Sequence, residues 1–191
     1  MLCKLKGAIM DCRIAITSDI TGILSLQDKN LVTKISEEQK KNGFVTTPFT
    51  TDQLETLIKR KGLFVLDNAK EIMGYTVAAG WDYFAGRPMF DYMLEHFGRI
   101  SYRNMAITKD NSFQYGPICV DVTLRGTSAF SNLFSKMREE MSGLYSVGVT
   151  FINKTNARSY KAHTTKVNIE TITEFEFNGN SYHGLAFLTK N

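Results

Sequence analysis

Between residues 119 and 130 the chain reads "CVDVTLRGTSAF", and four of these side chains are unusual for a plain connection. Arg125 is a fixed cation. Gly126 lets another molecule approach the main chain closely, and Thr127 and Ser128 place two hydroxyls just ahead of an apolar helix pattern. A helix beginning near Thr127 or Ser128 exposes its first amides, and its dipole adds partial positive charge there. Cation, glycine and open amides together suit a phosphate or a diphosphate. A helix that is merely capped by Thr127 or Ser128 is written with the same letters, so the segment alone leaves both readings open.

The elements that must carry this turn are legible on both sides of it. Residues 112–120 form an extended apolar run, and Phe130, Leu133, Phe134, Met137 and Met141 recur at helical spacing after it. Upstream, residues 12–16 read as a first strand. A helix follows, capped near Thr17 or Ser18, with Ile20, Ile23, Leu24, Gln27 and Leu31 on one stripe. Ser36 with Gln39, and Thr50 with Gln53, are spaced as capping boxes, and Gly62 offers a left-handed helix stop. Residues 63–67 and 72–84 flank "NAKE" as a hairpin. Residues 84–111 are aromatic-rich and break the rhythm, with a helix expected from Pro88 to Phe97. A buried strand (146–152), a polar helix ("NKTNARSYKAHTTK") and a hairpin turning at "NGN" complete the chain. The fold class is therefore α+β, or α/β in looser usage: a mixed, mostly antiparallel sheet flanked by helices.

Composition narrows the function. The chain has 191 residues, 43% of them hydrophobic, enough for one domain with a substantial core. The expected organisation is a lead-in at 1–11 and a single domain at 12–191 with an insertion at 84–111. A net charge of +4 with mixed signs gives no reason to expect nucleic acid. No span reaches membrane length and no signal-peptide pattern opens the chain, so no membrane partner is expected. Three cysteines without a C-x-x-C spacing fit reduced thiols and a cytoplasmic location. His96, His163 and His183 have no partners at metal-ligand spacing, and no metal is expected.

The order of elements, with "ICVDVTLRG" closing a long strand, resembles the GNAT-superfamily N-acetyltransferases. In that family an Arg/Gln-x-x-Gly-x-Gly/Ala loop follows the strand and holds the pyrophosphate of acetyl-coenzyme A (acetyl-CoA). Val120 stands at the strand end and Arg125-Gly126 at the common Arg-Gly start, while Ser128 replaces the central glycine and Phe130 the final Gly/Ala. Reading Gly126 as the central glycine and Ser128 as the small residue loses the arginine match. Asn156, Arg158, Ser159, Ala162 and His163 match the family's late helix in order, and Val167-Asn168 stand for its Leu-Gly ending. Asn168 there tolerates the left-handed stop.

The resemblance implies direct attack of an amine on the acetyl thioester, with acetyl-CoA as co-substrate and no acyl-enzyme. It implies cofactor contacts at Cys119, Val120, Arg125, Gly126, Thr127, Ser128, Ala129, Phe130, Asn156, Ser159 and His163. The Val120 amide is the candidate for the thioester oxygen and His163 the candidate acid for the leaving thiolate. Acceptor-side aromatics would be Phe44, Trp81, Tyr83 and Tyr115, facing a small amine or a peptide or protein amine. Cys119 reads as a buried small hydrophobe rather than a nucleophile, and no general base is assigned among Glu71, Asp82, Asp91 and Asp121. A monomer or homodimer would serve. A non-catalytic acyl-CoA-binding sensor or interaction module on the same scaffold is the alternative.

Overall fold

The computed structural model describes residues 2–5, 7–40, 44–46 and 48–190, apart from the side chains of residues 8 and 39. Its elements, in order, are β1 (Leu2–Leu5), β2 (Ala8–Ile14), α1 (Ile20–Asp28), α2 (Glu37–Lys40), α3 (Thr51–Lys59), β3 (Leu63–Asp67) and β4 (Ile72–Ala79). Next come α4 (Trp81–Phe84), α5 (Pro88–Phe97), the short pair β5 (Ser101–Tyr102) and β6 (Met105–Ala106), and β7 (Ser112–Val120). The chain closes with α6 (Ala129–Met141), β8 (Val147–Asn153), α7 (Ala157–Lys166), β9 (Glu170–Phe177) and β10 (Asn180–Leu188). Strands hydrogen-bond in the order β1-β2-β3-β4-β7-β8-β10-β9; the pairs β1–β2, β2–β3, β3–β4, β8–β10 and β9–β10 are antiparallel and β7–β8 is parallel. This is the expected mixed, mostly antiparallel sheet with helices.

The chain groups into two compact units, residues 1–77 with 116–137 and residues 78–115 with 138–191. In the first, β3 is buried along most of its length because it is a central strand, and Leu54 and Leu57 of α3 are fully buried. Residues 2–11, expected as part of a lead-in, instead supply β1 and most of β2, paired from Leu2↔Asp11 to Leu5↔Ala8. Thr17 and Ser18 do not cap α1. The turn is held by Asp19, whose carboxylate accepts from the Ile16 amide (2.8 Å) and pairs with Arg13 (2.7 Å). Gln27 is the one polar residue of the buried α1 stripe, and it ties down the Phe49 main chain by both its amide and carbonyl (3.1 and 2.8 Å).

The Thr50–Gln53 capping box forms in both directions (3.3 and 3.0 Å). The left-handed position after α3 falls on Lys61 (φ +56°) rather than Gly62, whose amide reaches back to Leu57 O at 2.9 Å. The helix expected after Ser36 is α2, but the Gln39 half of that box lies outside the described residues.

In the second unit, the strand expected to run to residue 84 ends at Ala79 and Trp81–Phe84 form the short helix α4 instead, whereas α5, within the aromatic insertion, spans the expected residues. Met93, Phe97, Tyr102 and Ile107 pack with Val147, Val149, Phe175 and Ala186 into one apolar core. The β9–β10 hairpin turns at Asn178 (φ +48°) and Gly179 (φ +73°), the two left-handed positions such a turn requires. Asn168 also adopts a left-handed conformation (φ +52°), as the resemblance implied.

Candidate functional site

In the first unit, β7 ends where the Asp121 amide donates to Met73 O of β4 at 2.8 Å. The Asp121 carboxylate then caps a 3-10 turn, Val122–Leu124, by accepting from the Thr123 amide at 2.9 Å. Leu124 is buried and pins the turn, so Arg125 and Gly126 follow in a fixed place. Arg125 donates to Asn30 Oδ1 at 2.6 Å, and Asn30 is itself anchored through its side-chain amide to Leu26 O at 2.9 Å. Asn30 therefore positions the cation. Its part was invisible in the sequence, because 95 residues separate the two partners.

Gly126 has φ +87°, and a Cβ placed there would meet nothing within 4 Å. Conformation, not space, reserves the position for glycine. Thr127 Oγ1 accepts from the Ala129 amide (3.2 Å) and donates to Leu124 O (2.6 Å). The capping reading of the sequence is thus correct for one amide of the turn. The amides of Gly126 and Ser128 meet no acceptor among the described residues, and Ser128 is exposed. Two main-chain donors, a helix dipole and a braced guanidinium form an arrangement that can hold an anion. Cys119 is buried, which pushes its thiol pKa up to about 12 and leaves no thiolate for nucleophilic chemistry.

In the second unit, β7 and β8 pair only over Ser112–Gln114 and Val147–Val149, although both strands continue. Pro117 further along β7 has no N–H to donate to a ladder. Tyr115, the residue after the last pair, is fully buried. Its ring lies 5.6 Å from that of His163 and 5.8 Å edge-on to Phe187. On α7, the Asn156 side chain caps the helix by accepting from the Ser159 amide at 3.2 Å. His163 is buried, with Nδ1 2.7 Å from Ser159 O. A carbonyl can only accept, so Nδ1 carries the proton.

Burial pulls the His163 pKa down to about 4, against the opposing contact with Ser159. The ring is therefore neutral at pH 7 with its lone pair on Nε2, and lacks the second proton that the acid role implied by the resemblance would need. The same shift fixes a pH dependence. Between the folded value near 4 and the ordinary imidazole value of 6.5, the unfolded chain binds more protons, so stability rises with pH across that window. Acidification from pH 6.5 to 4 should cost about 3 kcal/mol through this residue. Urea unfolding at the two pH values measures it, and His163→Gln should remove most of the difference. An unchanged slope in the variant would show that other groups carry it.

The acceptor-side aromatics separate. Tyr115 is a core residue. Trp81 is mostly buried and donates from Nε1 to Ser112 Oγ at 3.0 Å, yet it also lines a cavity of about 650 Å³ with Asp82, Phe90, Asp91, Leu94 and Tyr145. Tyr83 is half-buried beneath the Arg87 guanidinium, 4.9 Å from its ring centroid, and Phe44, in the first unit, is also half-buried. Among the described residues no cluster of three His, Cys, Asp or Glu side chains could hold a metal, and no helix is long and apolar enough to cross a membrane.

No family model and no curated protein matches this chain. Solved structures do. A structure of yncA from Salmonella typhimurium with its cofactor acetyl-CoA covers 95% of each chain with TM-score 0.62 at 13% identity. An N-acetyltransferase from Staphylococcus aureus Mu50 covers 95% of this chain and 99% of its own, with TM-score 0.61 and 18% identity. A GNAT-family acetyltransferase from Listeria monocytogenes covers 98% and 99%, with TM-score 0.62 and 12% identity. Over 95% or more of its length the chain has the fold of the GNAT N-acetyltransferases.

Proposed function

We propose that this chain is an acetyl-CoA-dependent N-acetyltransferase. The observation that carries the proposal is the pair of open amides at Gly126 and Ser128, next in sequence to an Arg125 braced by Asn30, at the place in this fold where the resemblance puts the diphosphate. With Thr127, Ala129 and Phe130 completing the turn, these residues hold the diphosphate of the cofactor. The main chain at Cys119 and Val120 pairs with the pantetheine arm, and the Val120 amide polarises the thioester carbonyl. Asn156, Ser159 and His163 on α7 make further cofactor contacts, with His163 acting as a neutral hydrogen-bonding ring.

The amine attacks the carbonyl carbon, the N–C bond forms, the C–S bond breaks, and the proton lost by the amine balances the one gained by sulfur. Catalysis in this scheme is chiefly positioning. Trp81, with Asp82, Asp91 and Asp110 against Lys109 in the lining of the second unit's cavity, favours an amine-bearing acceptor there, and Tyr83 and Phe44 are the further acceptor-side contacts of the proposal.

The test is release of free coenzyme A thiol from acetyl-CoA with a panel comprising spermidine, a free-amine tetrapeptide and small primary amines. Turnover with at least one, dependent on acetyl-CoA, is the expected result. A second reading is favoured by the neutral, buried state of His163, which supplies no acid: a coenzyme A-binding module that does not turn over. Binding of acetyl-CoA with no thiol release across the panel would select it.

A further inference from the structure

Gln114 occupies the last paired position of the β7–β8 ladder, opposite Val149. Strand alternation puts it with Ser112 on the sheet face opposite Phe113 and Tyr115. Both residues are buried polar side chains, at 2% exposure for Gln114 and 0% for Ser112. Ser112 is satisfied, since its hydroxyl takes the Trp81 indole N–H and donates to Thr108 O. Gln114 is satisfied at one end only. Its Nε2 donates to the carbonyl of Tyr115 at 2.8 Å, the first carbonyl beyond the paired stretch. Because that partner can only accept, the orientation of the amide is forced, and Oε1 is the atom turned away.

Gln114 Oε1 is buried and has no hydrogen-bond partner among the described residues. An orphaned acceptor at such a depth costs roughly 1–3 kcal/mol, and leucine or methionine would fill the volume without that cost. The penalty is offset if a ligand N–H completes the bond.

We propose that Gln114 Oε1 accepts a hydrogen bond from an N–H of the bound reactants, either a pantetheine amide of acetyl-CoA or the attacking amine. This deepens the acetyltransferase reading and rests on it. Either donor is neutral and fits an amide acceptor better than a carboxylate, which would repel the Tyr115 carbonyl. The attacking amine gains positive character as the N–C bond forms, so in that case the contact strengthens toward the transition state.

Gln114→Met and Gln114→Leu preserve volume and remove Oε1. Calorimetric titration with acetyl-CoA reads the first source, and KM for the best amine of the panel (spermidine, the tetrapeptide or a primary amine) reads the second. A rise of about tenfold or more in one constant, with the other unchanged, is expected and names the donor. If both constants stay at wild-type values while only the melting temperature moves, Gln114 serves the Tyr115 carbonyl alone and the proposal is overturned. Failure of the wild type itself to bind acetyl-CoA would instead remove the acetyltransferase reading, and this inference with it.

Discussion

Replacing Gly126 by valine should raise the dissociation constant for acetyl-CoA about 100-fold, which is roughly 2.7 kcal/mol. At φ +87° a β-branched residue is strained, so the turn must rotate to relieve it. Rotation re-aims the Gly126 amide and, through the next peptide, the Ser128 amide. Two charge-assisted hydrogen bonds to a diphosphate are each worth roughly 1.5–3 kcal/mol, so misdirecting them accounts for the loss. Stability should change much less than affinity, because the Cβ added at this exposed position meets no neighbour within 4 Å. A graded series sharpens the test. Gly126→Asn should bind best of the variants, since asparagine tolerates left-handed backbone, Gly126→Ala should be intermediate, and Gly126→Val weakest. Isothermal titration alongside thermal melts measures both quantities. Wild-type affinity in the valine variant would mean that these amides hold nothing.

The second large effect is on folding. A Cβ at Gly148 would lie 2.1 Å from the Phe187 ring, and two more ring atoms are within 2.6 Å. The ring cannot easily yield, being wedged edge-on to Phe113 and Tyr115 at 5.9 and 5.8 Å. Nor can the backbone retreat, because Gly148 is paired with Phe113 on one side and Phe187 on the other. Gly148→Ala should therefore cost about 3 kcal/mol of overpacking, a drop of about 10 °C in melting temperature. Combining it with Phe187→Leu should restore part of the loss, giving a coupling of about 1 kcal/mol or more in a double-mutant cycle. Strictly additive changes would show that the clash is relieved elsewhere.

The difference between what was readable and what was not follows from the range of the interactions. Thr50 with Gln53, the Asn178-Gly179 turn and the left-handed Asn168 are written within a few residues, and each forms as expected. The helix at Pro88 begins with a proline, for which the first helical turn is a natural place, and it too stands where the pattern put it. β1 was missed because a four-residue edge strand with Leu2 and Lys4 exposed has little apolar signal of its own; it exists through its pairing with β2. Lys61 took the left-handed position because the helix ended one residue sooner than the glycine suggested.

In the candidate site, the turn at 125–128 could be read because glycine and hydroxyl residues announce their backbone. The brace from Asn30 could not, since its partners lie 95 residues apart, and neither could the single-ended amide of Gln114, since it is the burial of Oε1, not the bond to the adjacent Tyr115 carbonyl, that leaves it unmatched. The state of His163 was equally hidden. Its burial and its bond to Ser159 O decide its protonation, and neither has a sequence signature.

The most direct measurement is a crystal structure of the protein grown with saturating acetyl-CoA. Phosphate oxygens at about 2.9 Å from the amides of Gly126 and Ser128 are the predicted result. Ordered cofactor anchored elsewhere, with those two amides facing only solvent, would contradict the account.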